Sequence, residues 1–203
     1  MLMPSEMAQD EALRALAYIR AAVDHTTRYS TFSALSGFVA GLASLAGSGG
    51  CGCWKDWPGA RPAAGWHFLG VWASVFVVAA SAVLLLTWMK ARRRGTPAWT
   101  PIARTALTTM LGPGLAGVAG SAALALGGHY EFLPGLWLML YGCGFYGVSF
   151  FAPLFLRVLG LVFMAFGLAA WLTGPELSAL WLGLGFGGLH LVFGAVVLAR
   201  YRG

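Results

Sequence analysis

Charged residues are scarce in this sequence, and asparagine is absent. Only 10% of the 203 residues are Asp, Glu, Lys or Arg, 59% are hydrophobic, and the mean hydropathy is +0.74. Soluble domains carry about 25% charged residues, so the composition excludes an ordinary water-soluble protein. The 29 glycines have no three-residue period and are accompanied by only 9 prolines, which excludes collagen-like and disordered classes. A polytopic helical membrane protein remains.

Six apolar stretches predict six transmembrane helices, because each span needs about 20 apolar residues. They lie at 30–48, 67–89, 104–127, 133–151, 154–173 and 177–199. Pro153 and Pro175 stand in the short gaps between the last three stretches, where they mark helix ends. The predicted architecture is therefore all-α, with a six-helix transmembrane domain at 29–203.

Residues 1–28 are predicted to form a separate amphipathic helix on the cytoplasmic side. Within 5–27, Leu16 and Ile19 fall on one helical face, while Asp10 and Arg14 fall on the other. The apolar face is rich in alanine, so membrane binding by this helix alone would be weak. The helix either lies against its own protein or docks a cytoplasmic partner protein.

Basic residues predict the orientation in the membrane. Eleven of the 13 Lys and Arg residues fall on the side that holds both termini, and only Lys55 and Arg61 fall on the other. Basic residues favour the cytoplasmic side, so both termini are expected in the cytoplasm of a bacterial cell, with the protein in its inner membrane. The run at 90–95 is expected to contact anionic lipid headgroups, and no nucleic-acid partner is predicted.

The predicted membrane interior contains no Asp, Glu or Lys. Pumps and ion-coupled transporters usually keep such residues at mid-membrane, so their absence argues against those classes. A facilitator for an uncharged small solute remains open. The sequence also lacks a nucleophile elbow, a P-loop, a zinc-protease motif and a dinucleotide fingerprint, which favours a non-catalytic protein.

His190 is the one ionisable group predicted near mid-membrane. On a helical wheel it shares a face with Gly183, Gly187 and Gly194. Glycine stripes permit close approach of another helix. One interpretation is therefore a helix–helix interface in which the imidazole is hydrogen-bonded to a neighbouring span. The candidate partners are the hydroxyls of Tyr141, Tyr146 and Ser74 and a carbonyl near Pro113.

The alternative interpretation makes His190 an axial haem ligand in a glycine-lined pocket. A second ligand would have to come from a similar depth on another span. Met164 and Cys143 are at about that depth, whereas no other histidine is. We expect no cofactor on balance, because close packing explains the same residues.

Cys51 and Cys53 lie in a glycine-rich loop that is predicted to face the oxidising side of the membrane. His67 and His129 are expected on the same side, and two Cys with two His can bind a metal ion tetrahedrally. The spacing matches no familiar metal-binding pattern. A small-ring disulfide and two unpaired thiols are the other interpretations.

Tryptophan is concentrated at the predicted outer interface. Seven of the nine tryptophans fall there, namely Trp54, Trp57, Trp66, Trp72, Trp137, Trp171 and Trp181. Indole rings prefer the headgroup level, so an anchoring belt accounts for them. A tryptophan-lined surface for a lipid, a quinone or a partner protein is the alternative.

Several short apolar motifs resemble a group of bacterial multi-spanning membrane proteins of about 200 residues. They are Leu-Ala-Tyr-Ile-Arg at 16–20, Ser-Gly-Phe at 36–38, Leu-Pro-Gly-Leu-Trp at 133–137, Tyr-Gly at 141–142 and the stretch 185–194. No activity is attached to that group, so the resemblance implies a topology and no chemistry.

These observations predict a non-catalytic integral membrane protein that serves as an accessory subunit or a sensor-type interaction partner. Its expected partners are membrane lipids, other membrane subunits and a cytoplasmic protein bound through 5–27. The runner-up is a redox subunit that binds haem at His190 or quinone at the outer tryptophan-rich face.

Overall fold

The computed structural model describes residues 11, 13–16, 33–50, 62–93, 95 and 97–201. The chain divides into two units, Met1–Thr31 and Phe32–Gly203. In the first unit, Glu11 and residues 13–16 are helical. The rest of the helix predicted at 5–27 lies outside the described residues.

Helices make up almost all of the described part of the second unit, which contains no strand. The first five are α1 (Ala34–Gly50), α2 (Pro62–Arg93), α3 (Pro101–Leu126), α4 (Leu133–Val148) and α5 (Phe155–Leu172). A composite final helix follows at 175–201. It joins a 3-10 turn (Pro175–Leu177), α6 (Ser178–Leu182), a π-helical segment (Gly183–Leu189) and α7 (His190–Tyr201). The all-α fold is thus confirmed.

Local signals set the start of α3 and the tight turns. The Thr100 hydroxyl accepts a hydrogen bond from the backbone N–H of Ala103 at 3.2 Å, and Pro101 occupies the first helical position. This is a typical N-cap arrangement.

Gly128 and Gly174 have φ of 78° and 80° in the turns before α4 and the final helix, a left-handed conformation that favours glycine.

The second unit has two ends, which we call the Tyr130 end and the Arg157 end. At the Tyr130 end, the Tyr130 ring contacts Gly65 near the start of α2. There, too, the Trp171 indole N–H donates to the Phe132 carbonyl at 3.0 Å. At the Arg157 end, the Arg157 Nε donates to the Ser149 hydroxyl at 3.3 Å.

Four helices are long and apolar enough to cross a membrane: Gly65–Arg93, Pro101–Leu126, Phe155–Leu172 and Pro175–Ala199. They coincide with four of the six predicted spans. The other two predicted spans are also helical, but α1 has 17 residues and α4 has 16. Both are shorter than the roughly 20 residues of a typical span.

Helices α4 and α5 make the most extensive contact in the unit, followed by the α3–α4, α1–α2 and α1–α7 pairs. The largest buried side chains include Phe68, Phe163, Leu138, Leu156 and Leu182. The core therefore lies between α4, α5 and the final helix, with the start of α2 packed against it at the Tyr130 end.

Candidate functional site

The imidazole of His190 is hydrogen-bonded to Tyr141 on α4. The Tyr141 hydroxyl oxygen lies 2.8 Å from Nε2 of His190. Of the partners considered from sequence, Tyr141 is therefore the one that His190 contacts. The side chain of Ser74, another candidate, donates to backbone carbonyls of its own helix.

Which of the two residues donates this hydrogen bond is decided by the partners left for Nδ1 of His190 and for the hydroxyl hydrogen of Tyr141. Nδ1 of His190 is buried and makes no hydrogen bond within the described residues. If Nε2 donated, both the Tyr141 hydroxyl hydrogen and Nδ1 would lack partners. Tyr141 as donor leaves only Nδ1 unpaired, and unpaired buried polar groups are costly.

Aromatic rings enclose the pair. The Tyr141 ring makes edge contacts with Phe145, Phe163 and Phe186 at centroid distances of 4.8, 5.0 and 5.2 Å. The His190 ring lies 5.7 Å from Phe163 and 6.2 Å from Phe186. The hydrogen bond is therefore formed in an apolar setting, where its electrostatic strength is greater than in water.

This set of rings extends toward the Tyr130 end. Phe186 lies 5.9 Å from Trp72, Trp72 lies 6.1 Å from Trp137, and Trp137 stacks on Phe68 at 5.5 Å. The Trp137 indole N–H donates to the Ser121 hydroxyl at 2.7 Å. We call this continuous set the aromatic cluster; it consists of Phe68, Trp72, Trp137, Tyr141, Phe145, Phe163, Phe186 and His190.

Trp72 and Trp137 therefore belong to the interior packing and not to an exposed tryptophan surface. Trp72 is only 6% exposed, whereas Trp66 is 58% exposed. Trp54 and Trp57 lie outside the described residues. Among the described residues, the tryptophans predicted at one end of the protein include some rings in the interior and some on the surface.

The glycines of the final helix face a different neighbour from His190. A Cβ added to Gly194 would lie 3.0 Å from the Ala34 carbonyl oxygen, and one added to Gly187 would lie 2.5 Å from Leu45. A Cβ added to Gly183 would lie at ordinary contact distance, 3.4 Å, from the Ser48 hydroxyl oxygen. All three contacts are to α1, whereas the imidazole faces α4, so the structure does not bring the three glycines and His190 to one surface.

The π-helical segment explains why the wheel projection differs from the structure. A wheel assumes 100° of rotation per residue, as in an α-helix. The wider π turn closes hydrogen bonds from residue i to i+5, so each residue turns the chain by less. The segment Gly183–Leu189 lies directly before His190 and changes which way the residues on either side of it point.

The close packing of the final helix on α1 is reciprocal. A Cβ on Gly37 would lie 3.0 Å from the His190 carbonyl oxygen, and one on Gly41 would lie 2.9 Å from the Gly187 carbonyl oxygen. The glycines of the final helix thus form a close helix interface with Gly37 and Gly41 of α1 as its other half, whereas the hydrogen bond of His190, which the sequence placed across the same interface, is made to α4. Such close backbone approach is the usual basis of helix association in membranes.

A second glycine interface, between α4 and α5, was missed from the sequence. Gly142 and Gly135 on α4 face Gly160 and Gly167 on α5. The signal that could have revealed it is the seven-residue spacing of glycine in both helices, which keeps residues on one face of packed helices.

Met164 lies at this α4–α5 interface. Its Cγ would be 2.6 Å from a Cβ on Gly142, so the thioether side chain packs against α4 next to Tyr141. Cys143 is exposed. A haem iron at Nε2 of His190 would have to displace the Tyr141 hydroxyl, which occupies that nitrogen in this arrangement.

The proposed metal ligands are only partly covered by the structure. Cys51 and Cys53 lie outside the described residues. His67 is exposed near the start of α2, and Nδ1 of His129 lies 3.4 Å from a Glu131 carboxylate oxygen. Among the described residues, no group of three or more His, Cys, Asp or Glu side chains is placed to hold a metal ion.

Comparisons with known proteins identify no relative: no family model matches the chain, and no curated protein or solved structure is significantly similar to it.

Proposed function

We propose that this chain is a non-catalytic subunit of a bacterial cytoplasmic membrane, with six spans and both termini in the cytoplasm, which acts by packing against other membrane proteins. The observation that carries this proposal is the contrast in burial between its spans. In the apolar 18-residue segment of α2, only 6% of the residues are buried within the chain, and the value for the corresponding segment of α3 is also 6%. The corresponding values are 28% for α5 and 39% for the final helix.

The antiparallel contacts support six spans although two of the helices are short. The Trp171–Phe132 hydrogen bond joins the end of α5 to the start of α4, so α4 runs the full distance between the two ends of the unit. Likewise, α1 lies antiparallel to the final helix, with Ala34 beside Gly194 and Ser48 beside Gly183. Each short helix is thus paired along its length with a helix long enough to span.

The charge distribution supports cytoplasmic termini. Lys90, Arg92 and Arg93 occupy the last turn of α2, and Arg157 lies near the start of α5, both at the end of the unit opposite Tyr130. The Arg92 guanidinium lies 4.3 Å above the Trp88 ring, and that of Arg157 lies 5.1 Å from Phe150. Such cation–aromatic pairs are suited to the headgroup level.

A continuous face of α3 presents small residues that its own chain leaves exposed. We call it the α3 face; it consists of Thr105, Thr108, Gly112, Ala116, Ala119 and Ala123. Lipid tails give no hydrophobic gain for burying a helix, whereas small residues let another helix approach closely. The α3 face is therefore the surface that we assign to a transmembrane helix of another membrane subunit.

Site-directed photocrosslinking in native membranes tests this assignment. A photoreactive amino acid at Ala116 should give a discrete protein adduct. The same residue at Leu168 on α5, which is 49% exposed, should give none, because lipid covers that position. Two differently tagged copies of the chain distinguish an adduct with itself from one with another protein. If Ala116 behaves like Leu168, the subunit proposal fails.

A further inference from the structure

We propose that Tyr141 and His190 form a redox-active pair, in which the loss of one electron from Tyr141 is coupled to transfer of its phenolic proton to Nε2 of His190. This inference goes beyond the subunit role proposed above and does not depend on it. It rests on the hydrogen bond between the two side chains, on their enclosure by aromatic rings and on the row of rings that connects them to the Tyr130 end.

The hydrogen bond places a proton acceptor where oxidation of a phenol needs one. A tyrosine that loses an electron becomes a very strong acid, so its oxidation is far easier when a base takes the proton in the same step. The 2.8 Å separation between the Tyr141 oxygen and Nε2 is a hydrogen-bond distance, at which a positioned base can act. With Tyr141 as donor, Nε2 is the free lone pair that accepts this proton.

The surroundings make His190 the acceptor for this proton. Phe145, Phe163 and Phe186 pack around the Tyr141 ring, and none of these side chains can accept a proton. Moving the proton along an existing hydrogen bond keeps the imidazolium next to the tyrosyl oxygen. Because the tyrosyl radical is neutral, one positive charge remains at the pair after the electron has left. A charge in the membrane interior is costly, so it rests on the imidazole, which is a much stronger base than the oxidised phenol.

An electron can leave Tyr141 through the rings toward the Tyr130 end. Tryptophan and tyrosine are the aromatic side chains most easily oxidised by one electron, and Trp137 and Trp72 lie 6.1 Å apart between ring centroids. Phe186 bridges Trp72 to Tyr141, with centroid distances of 5.9 and 5.2 Å. The three oxidisable rings are thus connected through ring contacts alone.

The oxidant that this step requires is a one-electron, metal-centred oxidant from outside the chain that approaches the Tyr130 end, because no group of three or more His, Cys, Asp or Glu side chains among the described residues is placed to hold a metal ion. The electron passes from Tyr141 to the oxidised metal centre, which is reduced by one unit. The O–H bond of Tyr141 breaks and an N–H bond forms at Nε2 of His190, leaving a neutral tyrosyl radical beside an imidazolium. Return of the electron from the reduced metal centre reverses both changes.

Flash photolysis of the purified full-length protein tests the pair, with photogenerated ruthenium(III) tris-bipyridine as the oxidant. Transient absorption and electron paramagnetic resonance should detect a tyrosyl radical that forms more slowly in D2O. Tyr141→Phe should remove the contribution of Tyr141 and leave only the radical that the other five tyrosines give. Tyr146→Phe should leave the contribution of Tyr141 in place, because the Tyr146 ring contacts Phe150 and lies outside the aromatic cluster.

His190→Gln separates proton acceptance from packing, because glutamine can hydrogen-bond to Tyr141 but is not a base. Radical formation should be about 100-fold slower in this variant, the lower range for a positioned proton acceptor, while the folded fraction is retained. An unchanged rate and isotope effect in His190→Gln would overturn the proposal. So would a radical of wild-type yield in Tyr141→Phe; should that variant not fold, the His190→Gln result decides.

Discussion

Gly142 of α4 and Gly160 of α5 face each other at backbone contact. A Cβ on Gly142 would lie 2.6 Å from the Gly160 carbonyl oxygen, and one on Gly160 would lie 2.7 Å from the Gly142 carbonyl oxygen. One heptad away the contact is not reciprocal: a Cβ on Gly167 would lie 2.8 Å from the Gly135 carbonyl oxygen, whereas one on Gly135 would meet the Trp171 side chain. Since the opposing atoms of Gly142 and Gly160 belong to the backbone, no rotamer change can make room for a side chain on either residue.

Gly142→Ala should therefore destabilise the protein by about 1–3 kcal/mol, the usual cost of overpacking a tight core. Gly112→Ala is the matched control, because a Cβ at Gly112 of α3 meets no atom within 4 Å. It should leave stability unchanged or raise it, since alanine favours helix more than glycine does. Thermal unfolding in detergent compares the two, and equal melting temperatures would refute the tight α4–α5 contact.

Sequence reasoning located the helices better than it located their contacts. The apolar stretches at 67–89, 104–127, 154–173 and 177–199 correspond to helices that can span a membrane, because hydrophobic length is a local property. Tyr141, which forms the hydrogen bond with His190, was among the partners predicted from sequence. That prediction was possible because the depth of a residue in the membrane can be counted from its position along its span.

Which neighbour a helical face meets could not be predicted from local patterns. The grouping of His190 with Gly183, Gly187 and Gly194 assumed regular α-helix, and the π-helical segment Gly183–Leu189 breaks that assumption. The interface residues Gly160 and Gly167 were missed because the spacing of glycines within one helix does not show which neighbouring helix they face.

The packing of Gly185 against α4 leads to a prediction that the helical wheel does not give. The wheel correctly places Gly185 away from the glycine face, but it does not show that a neighbour also packs on that side, and so it makes Gly185→Leu mild. In the structure Gly185 is buried, and a Cβ there would clash with Leu138, just as one on Gly187 would approach Leu45.

We therefore expect Gly185→Leu and Gly187→Leu to lower the yield of folded protein in detergent to a similar degree. Gly188→Leu should be much milder, because a Cβ on Gly188 contacts nothing within 4 Å. Size-exclusion chromatography after extraction measures the folded yield. A wild-type yield for Gly185→Leu would contradict the observed packing against α4.

The hydrogen bond between Tyr141 and His190 predicts different effects of two substitutions at His190. His190→Gln should be tolerated, because an amide oxygen can accept from the Tyr141 hydroxyl. His190→Leu should cost about 1–3 kcal/mol, since it leaves a buried hydroxyl without a partner. In a Tyr141→Phe background the cost of His190→Leu should shrink. A cost that is the same in both backgrounds would show that the hydrogen bond contributes nothing.

Occupation of Nε2 by Tyr141 predicts that purified protein carries no haem bound to His190. A visible spectrum should show no Soret band, with and without added hemin at stoichiometric concentration. A Soret band that is present in the wild type and lost in His190→Ala would establish the haem-binding alternative.

The central claim is that six helices cross the membrane with both termini in the cytoplasm, and topology reporters test it most directly. Fusions of an alkaline phosphatase and of a green fluorescent protein are made after Gly203, within 90–103 and within 48–66. We predict fluorescence without phosphatase activity at the first two sites, and phosphatase activity without fluorescence at the third. A cytoplasmic signal from 48–66, or a phosphatase signal after Gly203, would contradict the account.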